Sequence, residues 1–204
     1  MPSETDVVNV ALRLIGQTSI VSLSDGSDTA NMADDIYEEV RDDLLRSHNW
    51  NFATKRVQLA QSSTDPDFEF DHAYVLPSDW LRTISAHDND AGHGTVLYRM
   101  EQVGSQLVLV CSSDALYLRY VAGVTDPNLM SADFRRAFAE SLARDLAIPV
   151  ASSNTMQEQY AAAALRTLAR ARSSDSMGSF PEFRPRGSWA SSRGGFRRDN
   201  FLND

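Results

Sequence analysis

The chain has 204 residues, with 19 Lys+Arg against 28 Asp+Glu, a formal net charge of −9 and 42% apolar residues. A chain this acidic does not suit a protein whose affinity comes from neutralising nucleic-acid phosphates, and its apolar share excludes wholesale disorder. The single cysteine, Cys111, excludes an intramolecular disulfide framework and any cysteine-rich zinc site.

From the N-terminus, Ser3 or Thr5 caps a short helix carrying Val7, Val8, Ala11, Leu12 and Ile15, with Gly16 as its stop. The start Met1 to Asp6 lacks a basic region, and no stretch approaches the apolar length of a membrane span. The expectation is a soluble protein in a cytoplasm-like compartment, with no membrane partner. A Ser/Asp/Gly loop, Ser22 to Ser27, leads into the strongest helical pattern, about Asp28 to His48. Ala33, Ile36, Tyr37, Val40 and Leu44 form its apolar stripe, while Asp34, Asp35, Glu38, Glu39, Asp42 and Asp43 fall on the other face. Residues 1–50 hold ten acids and three arginines.

From Asn51 to about Ala122 the period changes to two. Strands are expected around Val57–Leu59, His72–Leu76, Leu81–Ala86, Thr95–Met100, Gln106–Cys111 and Ala115–Val121, forming a small antiparallel sheet or half-barrel. Helix returns at Ser131, with Phe134, Ala137, Phe138, Leu142 and Leu146 on one face, and Pro149 follows its end. A last helix starts near Asn154, capped by that residue with Gln157, and runs to about Arg172. Residues 173–204 then hold seven serines, four glycines, five arginines and five aromatics, with Leu202 the only branched aliphatic. Such a segment cannot close its own core. It reads as an extended arm whose rings and guanidinium groups dock on another subunit or partner, against the plainer alternative of a tail with no role.

The fold class is therefore α+β: a mainly helical bundle of about four helices from 1–50 and 123–172, an inserted antiparallel β region at 51–122, and a C-terminal arm at 173–204. Chemistry is sparse. The loop His87 to His93 carries metal-ligand types, but its spacing departs from a calcium loop, with Arg99 where a bidentate Glu belongs. No metal or cofactor is expected. Paired acids such as Asp34-Asp35 read as a solvated helix face, and Cys111 sits in an apolar alternating run as a buried structural thiol. No phosphate loop, nucleophile elbow or zinc-protease motif occurs. The chain reads as a non-enzyme.

One run is more specific. Arg41-Asp42-Asp43-Leu44-Leu45-Arg46-Ser47-His48-Asn49-Trp50-Asn51-Phe52-Ala53, then Gln58-Leu59-Ala60 and Tyr74-Val75-Leu76-Pro77-Ser78-Asp79-Trp80-Leu81-Arg82, resemble the head-to-tail adaptor family of tailed bacteriophages. This family is also called tail tubular protein A in short-tailed phages. Leu12 to Gln17, Leu118-Arg119-Tyr120-Val121 and Phe134 to Pro149 support the resemblance, which spans about residues 5–172.

The resemblance implies a structural virion protein, made in the host bacterial cytoplasm and placed in the tail below the portal vertex. It implies a twelve-fold homo-oligomeric ring joining the portal protein to the distal tail protein (nozzle or tail tube) and forming part of the DNA channel, so that DNA stays inside until ejection. The helices would form the ring body and the β region would project toward the distal tail. Trp50 and Phe52 would anchor the corner between them. The arm would reach the portal through Phe180, Phe183, Trp189 and Phe196, with Arg184, Arg186, Arg193, Arg197 and Arg198 pairing with its carboxylates. Asp34, Asp35, Glu38, Glu39, Asp42 and Asp43 become candidates for the channel wall, where an acidic surface lets DNA pass without binding it. Two alternatives stay open: a tail-associated cell-wall hydrolase, and a host-protein-binding module.

Overall fold

A computed structural model of the chain describes residues 1–92 and 94–178. Helix α1, Glu4–Leu14, is capped by Ser3. The Ser3 hydroxyl accepts from the Asp6 amide at 3.1 Å, and the Asp6 carboxylate accepts from the Ser3 amide at 2.9 Å. It ends because Gly16 takes φ +74°, a left-handed turn that lets the Gln17 amide donate to the Leu12 carbonyl at 2.9 Å. The Asn9 side chain then bonds both the amide and the carbonyl of Ile20, pinning the loop that follows.

Helix α2, Asp28–Arg46, starts at Ser27, whose hydroxyl accepts from the Ala30 amide. It stops at Arg46, before His48, where the spacing had carried it. The Ser47 hydroxyl donates to the Leu44 carbonyl at 2.6 Å, occupying a helix-end acceptor and leaving His48 outside. A short 3-10 turn, Asn51–Ala53, then aims the chain into the strands β1 (Thr54–Gln58), β2 (His72–Val75), β3 (Trp80–His87), β4 (Arg99–Val103), β5 (Gln106–Cys111) and β6 (Tyr117–Ala122).

The strands form two three-stranded antiparallel sheets, ordered β1-β6-β3 and β2-β5-β4, in place of the single sheet or half-barrel expected. Alternation explains the split. Each sheet has one apolar inner face, Ala86, Leu118, Tyr120 and Ala122 on the first and Tyr74, Leu109 and Cys111 on the second, and the two faces share one core. The other face of β5 is buried too, with Val108 and Val110 packed beside Ala73, Phe70 and Val103. The strand expected from Thr95 begins only at Arg99. Gly92 and Gly94 both turn with positive φ, which keeps this stretch in a loop before pairing starts.

Helix α3, Ala132–Leu146, is capped by Ser131 and touches α1, α2 and the last helix, α4, Asn154–Met177. Its Phe134, Phe138, Leu142 and Leu146 are fully buried, as the centre of a helical layer requires. The α4 cap is Ser153, not Asn154. Asn154 has already entered the helix, so it is the Ser153 hydroxyl that reaches the Met156 amide, at 3.2 Å. The helix continues past Arg172 to Met177, so residues 173–177 are helix and not extended arm. Val121 on β6 joins the helical core, and Leu81 and Ile84 on β3 pack against it. The order of layers is thus helices, sheet β1-β6-β3, sheet β2-β5-β4, an α+β arrangement. Among the described residues no helix is long and apolar enough to cross a membrane.

Candidate functional site

Three surfaces emerge, beginning at the corner where helix gives way to sheet. Trp50 is fully buried there, and its indole Nε1–H donates to the Leu44 carbonyl at 3.0 Å. Its ring meets His48 and Phe134 edge-on, with centroids 4.8 and 4.9 Å away, and half-buried Phe52 stacks edge-on against Phe134 at 5.0 Å. The last turn of α4 closes over this corner. The Asp175 carboxylate accepts from the Asn51 amide at 3.1 and 3.2 Å, and the Asn51 side chain donates to the Asp175 carbonyl at 2.6 Å. His48 Nε2 lies 3.6 Å from the same carboxylate. Burial pulls the His48 pKa below its ordinary value; Asp175 opposes that, while Arg172 and Arg82 reinforce it. Arg82 on β3 donates to the Asn49 side chain, so α2, β3 and α4 meet at one knot. Gly178, which follows the last turn of α4, lies beside Asn51.

The second surface is the outward face of α2. Asp34, Asp35, Glu38, Glu39 and Asp43 are exposed and Asp42 is half-buried. Arg41, itself buried, reaches Asp42 at 2.9 Å and Glu38 at 3.5 Å, so part of this charge is neutralised within the helix. A groove of about 510 Å³ runs between α2 and α3, bordered by Glu39, Asp43, Arg144 and Asp145. Arg144 forks onto Asp145 with both bonds at 2.7 Å. That hydrogen bonding, together with the nearby Asp43, holds the guanidinium pKa above its ordinary value.

The third surface was not anticipated. Sheet β1-β6-β3 extends beyond the helices, and the face that carries Val121 into the core carries Arg119 and Tyr117 further out. Arg56 on β1 stands directly opposite Arg119, with Ser85 of β3 on its other side. The turn Asn89–Gly92 closes one end, leaving a cleft of about 440 Å³. His87 forms its rim. Its Nδ1–H can only donate to the Gly94 carbonyl, 2.5 Å away, so Nε2 accepts from the Ser85 hydroxyl at 3.0 Å. A serine bonded to a histidine has the composition of a nucleophile and base. Here, however, the ring is oriented by the neutral Gly94 carbonyl in place of the carboxylate that orients the base in such chemistry. The arrangement instead suits the recognition of carboxylates or other anions. Its signal in sequence was Arg56 and Arg119, but nothing in the sequence set them opposite one another.

Asp79, quoted only within the Pro77-Ser78-Asp79-Trp80 run, turns out to be a hub. Its carboxylate accepts from Lys55 at 2.7 Å and from the Tyr120 hydroxyl at 3.0 Å, and its carbonyl accepts from the Gly123 amide at 2.7 Å. Burial works to raise the Asp79 pKa, but the hydrogen bonds from Lys55 and Tyr120 outweigh it and hold the carboxyl low. Burial, then Asp79, pushes Tyr120 up to about 12. Cys111 is buried, and burial raises its thiol. Among the described residues no group of three or more His, Cys, Asp or Glu side chains is placed to hold a metal ion. His93 lies outside the described residues, as do the expected arm contacts Phe180, Phe183, Arg184, Arg186, Trp189, Arg193, Phe196, Arg197 and Arg198.

Compared with known proteins, residues 5–102 match the family model described as Tail tubular protein. That span takes in α1, α2, the Trp50 corner and Asp79, and ends within β4. No curated protein matches the chain.

Proposed function

We propose, from the premise that the chain belongs through residues 5–102 to the phage tail tubular protein family, that it is the adaptor subunit between portal and tail. Membership makes it a structural component of the virion tail. The finer reading is a ring of about twelve copies that joins the portal to the distal tail protein and forms part of the DNA channel, consistent with closed cyclic assembly of identical chains. In that reading the helices form the ring body, and the sheets reach toward the distal tail. The acidic face of α2 contributes to a wall that DNA passes without binding.

The observation that carries this reading is the Trp50 corner. Asn51, inside the family match, holds the last turn of α4 through Asp175. The arginine- and aromatic-rich residues 179–204 follow that turn in sequence, with a composition suited to wrapping a partner. The test is a truncation after Gly178, which keeps Asp175 and the whole of α4. Mixed with purified portal and viewed by electron microscopy, the full chain forms rings and the truncated chain does not. Undiminished portal binding by the truncated chain refutes the role given to the arm.

A further inference from the structure

Tyr74 and Leu109 face the core shared by the two sheets, so their neighbours Ala73, Val108 and Val110 face away from it, and Phe70 packs on them. Two residues before Phe70, Phe68 stands in solvent, 80% exposed. The backbone between them sets the two rings apart. The Phe70 amide donates to the Phe68 carbonyl at 2.9 Å across Glu69, which takes φ +73°. This is the γ-turn of positive φ, rare and strained for a residue with a side chain. Arg99 of β4 clamps it at two points. Its Nη1 donates to the Glu69 carboxylate at 2.9 Å, and its guanidinium lies over the Phe70 ring, 5.8 Å from the centroid. Glycine at 69 would relax the turn but forfeit the ion pair. A lone exposed apolar side chain is ordinary. One held out by a strained, clamped turn is positioned, and such strain gathers where a ligand or partner is gripped. The exposed acids Asp67 and Asp71 flank the turn.

We propose that Phe68 is the anchor by which this chain grips the distal tail protein, entering an apolar pocket there whose rim carries lysine or arginine. An aromatic side chain buried in a partner's pocket supplies most of the energy of such a contact, and Asp67 and Asp71 complement a basic rim. The order of layers selects the occupant. Phe70 lies on the outer face of the second sheet, the layer farthest from the helices, whereas portal and neighbouring copies meet the helical ring body. The anchor rests on the adaptor reading and names the surface that meets the tail.

Rings assembled from the full chain and portal, titrated with purified distal tail protein, test it. Phe68→Ser weakens binding by about thirtyfold or more, as loss of a central aromatic anchor does. D67K/D71K slows association and reduces its dependence on salt. Because Phe68 is exposed, Phe68→Ser unfolds in urea at the wild-type midpoint, which separates lost binding from lost folding. Wild-type affinity in Phe68→Ser rings overturns the anchor and leaves the adaptor reading standing. Wild-type rings that do not bind the distal tail protein overturn both. A folded Phe68→Ser chain that no longer forms rings with portal also overturns the proposal, because Phe68 then serves a contact within the ring. A wild-type chain that binds the distal tail protein through Phe68 yet forms no ring with portal upholds the anchor and removes the ring.

Discussion

Replacing Trp50 by alanine removes the centre of the corner that holds the last turn of α4. The side chain is fully buried, so truncation loses its transfer free energy and opens a cavity, together about 3–5 kcal/mol. The edge-on contacts with His48 and Phe134, at 4.8 and 4.9 Å, and the Nε1 bond to Leu44 place the loss at the upper end, about 5 kcal/mol. Trp50→Phe separates these terms. It keeps most of the ring packing and loses the indole donor, but the Leu44 carbonyl still accepts from the Ser47 hydroxyl at 2.6 Å and the Ser47 amide at 3.3 Å. No acceptor is left orphaned, so the cost falls to about 1–2 kcal/mol. Domains of this kind are stable by about 5–15 kcal/mol. Urea unfolding followed by circular dichroism should therefore place the Trp50→Ala midpoint about 2 M lower at an unchanged slope. Amide exchange at 172–178 should also speed up, because Asp175 bonds the residue next to Trp50. A Trp50→Ala chain within about 1 kcal/mol of wild type, or a Trp50→Phe chain as damaged as the alanine variant, refutes this account.

Other outcomes follow from the same contacts. Asp175→Ala takes the partner from the Asn51 amide and should cost about 1–2 kcal/mol by urea unfolding; a cut after residue 172 should be worse than the cut after Gly178, since it also removes the last turn of α4. His48 has a folded pKa below its unfolded value, so its neutral state favours folding above about pH 6.5 and that contribution fades as pH falls through the folded pKa. Stability should drop between neutral and mildly acidic pH, and His48→Gln should flatten that part of the curve. Asp79, held low by Lys55 and Tyr120, contributes above its unfolded pKa and loses that contribution at more acidic pH; Asp79→Asn should remove this second loss.

What could be read before the fold was known divides along physical lines. Helical stripes such as Phe134, Phe138, Leu142 and Leu146 repeat locally, and all are buried. Caps depend on one or two residues, and there the errors are small: Ser153 displaced Asn154, and Ser47 stopped α2 before His48. The β region was harder, because which of two sheets a strand joins depends on partners far along the chain. Tyr117–Ala122 looks the same from sequence whichever sheet it pairs in, and nothing local reveals that Arg119 faces Arg56. The arm's boundary misled for a related reason. Composition changes at Ser173, yet Asp175 bonds a residue 124 positions earlier, and that distant contact keeps Ser173 to Met177 helical. Asp79 escaped notice because a carboxylate between Ser78 and Trp80 suggests a turn, while its importance comes from Lys55 and Tyr120 on other strands.

The charge of the chain takes a different meaning once its placement is known. A net −9 first argued only against gripping nucleic acid. Within the fold, Arg41 and Arg144 answer part of the α2 charge, whereas Arg56 and Arg119 are set beside each other, away from the helix. The net charge is therefore a sum over unlike regions: α2 concentrates acids on its outward face, while β1 and β6 carry arginines in register, so another molecule meets a different charge on each of these faces.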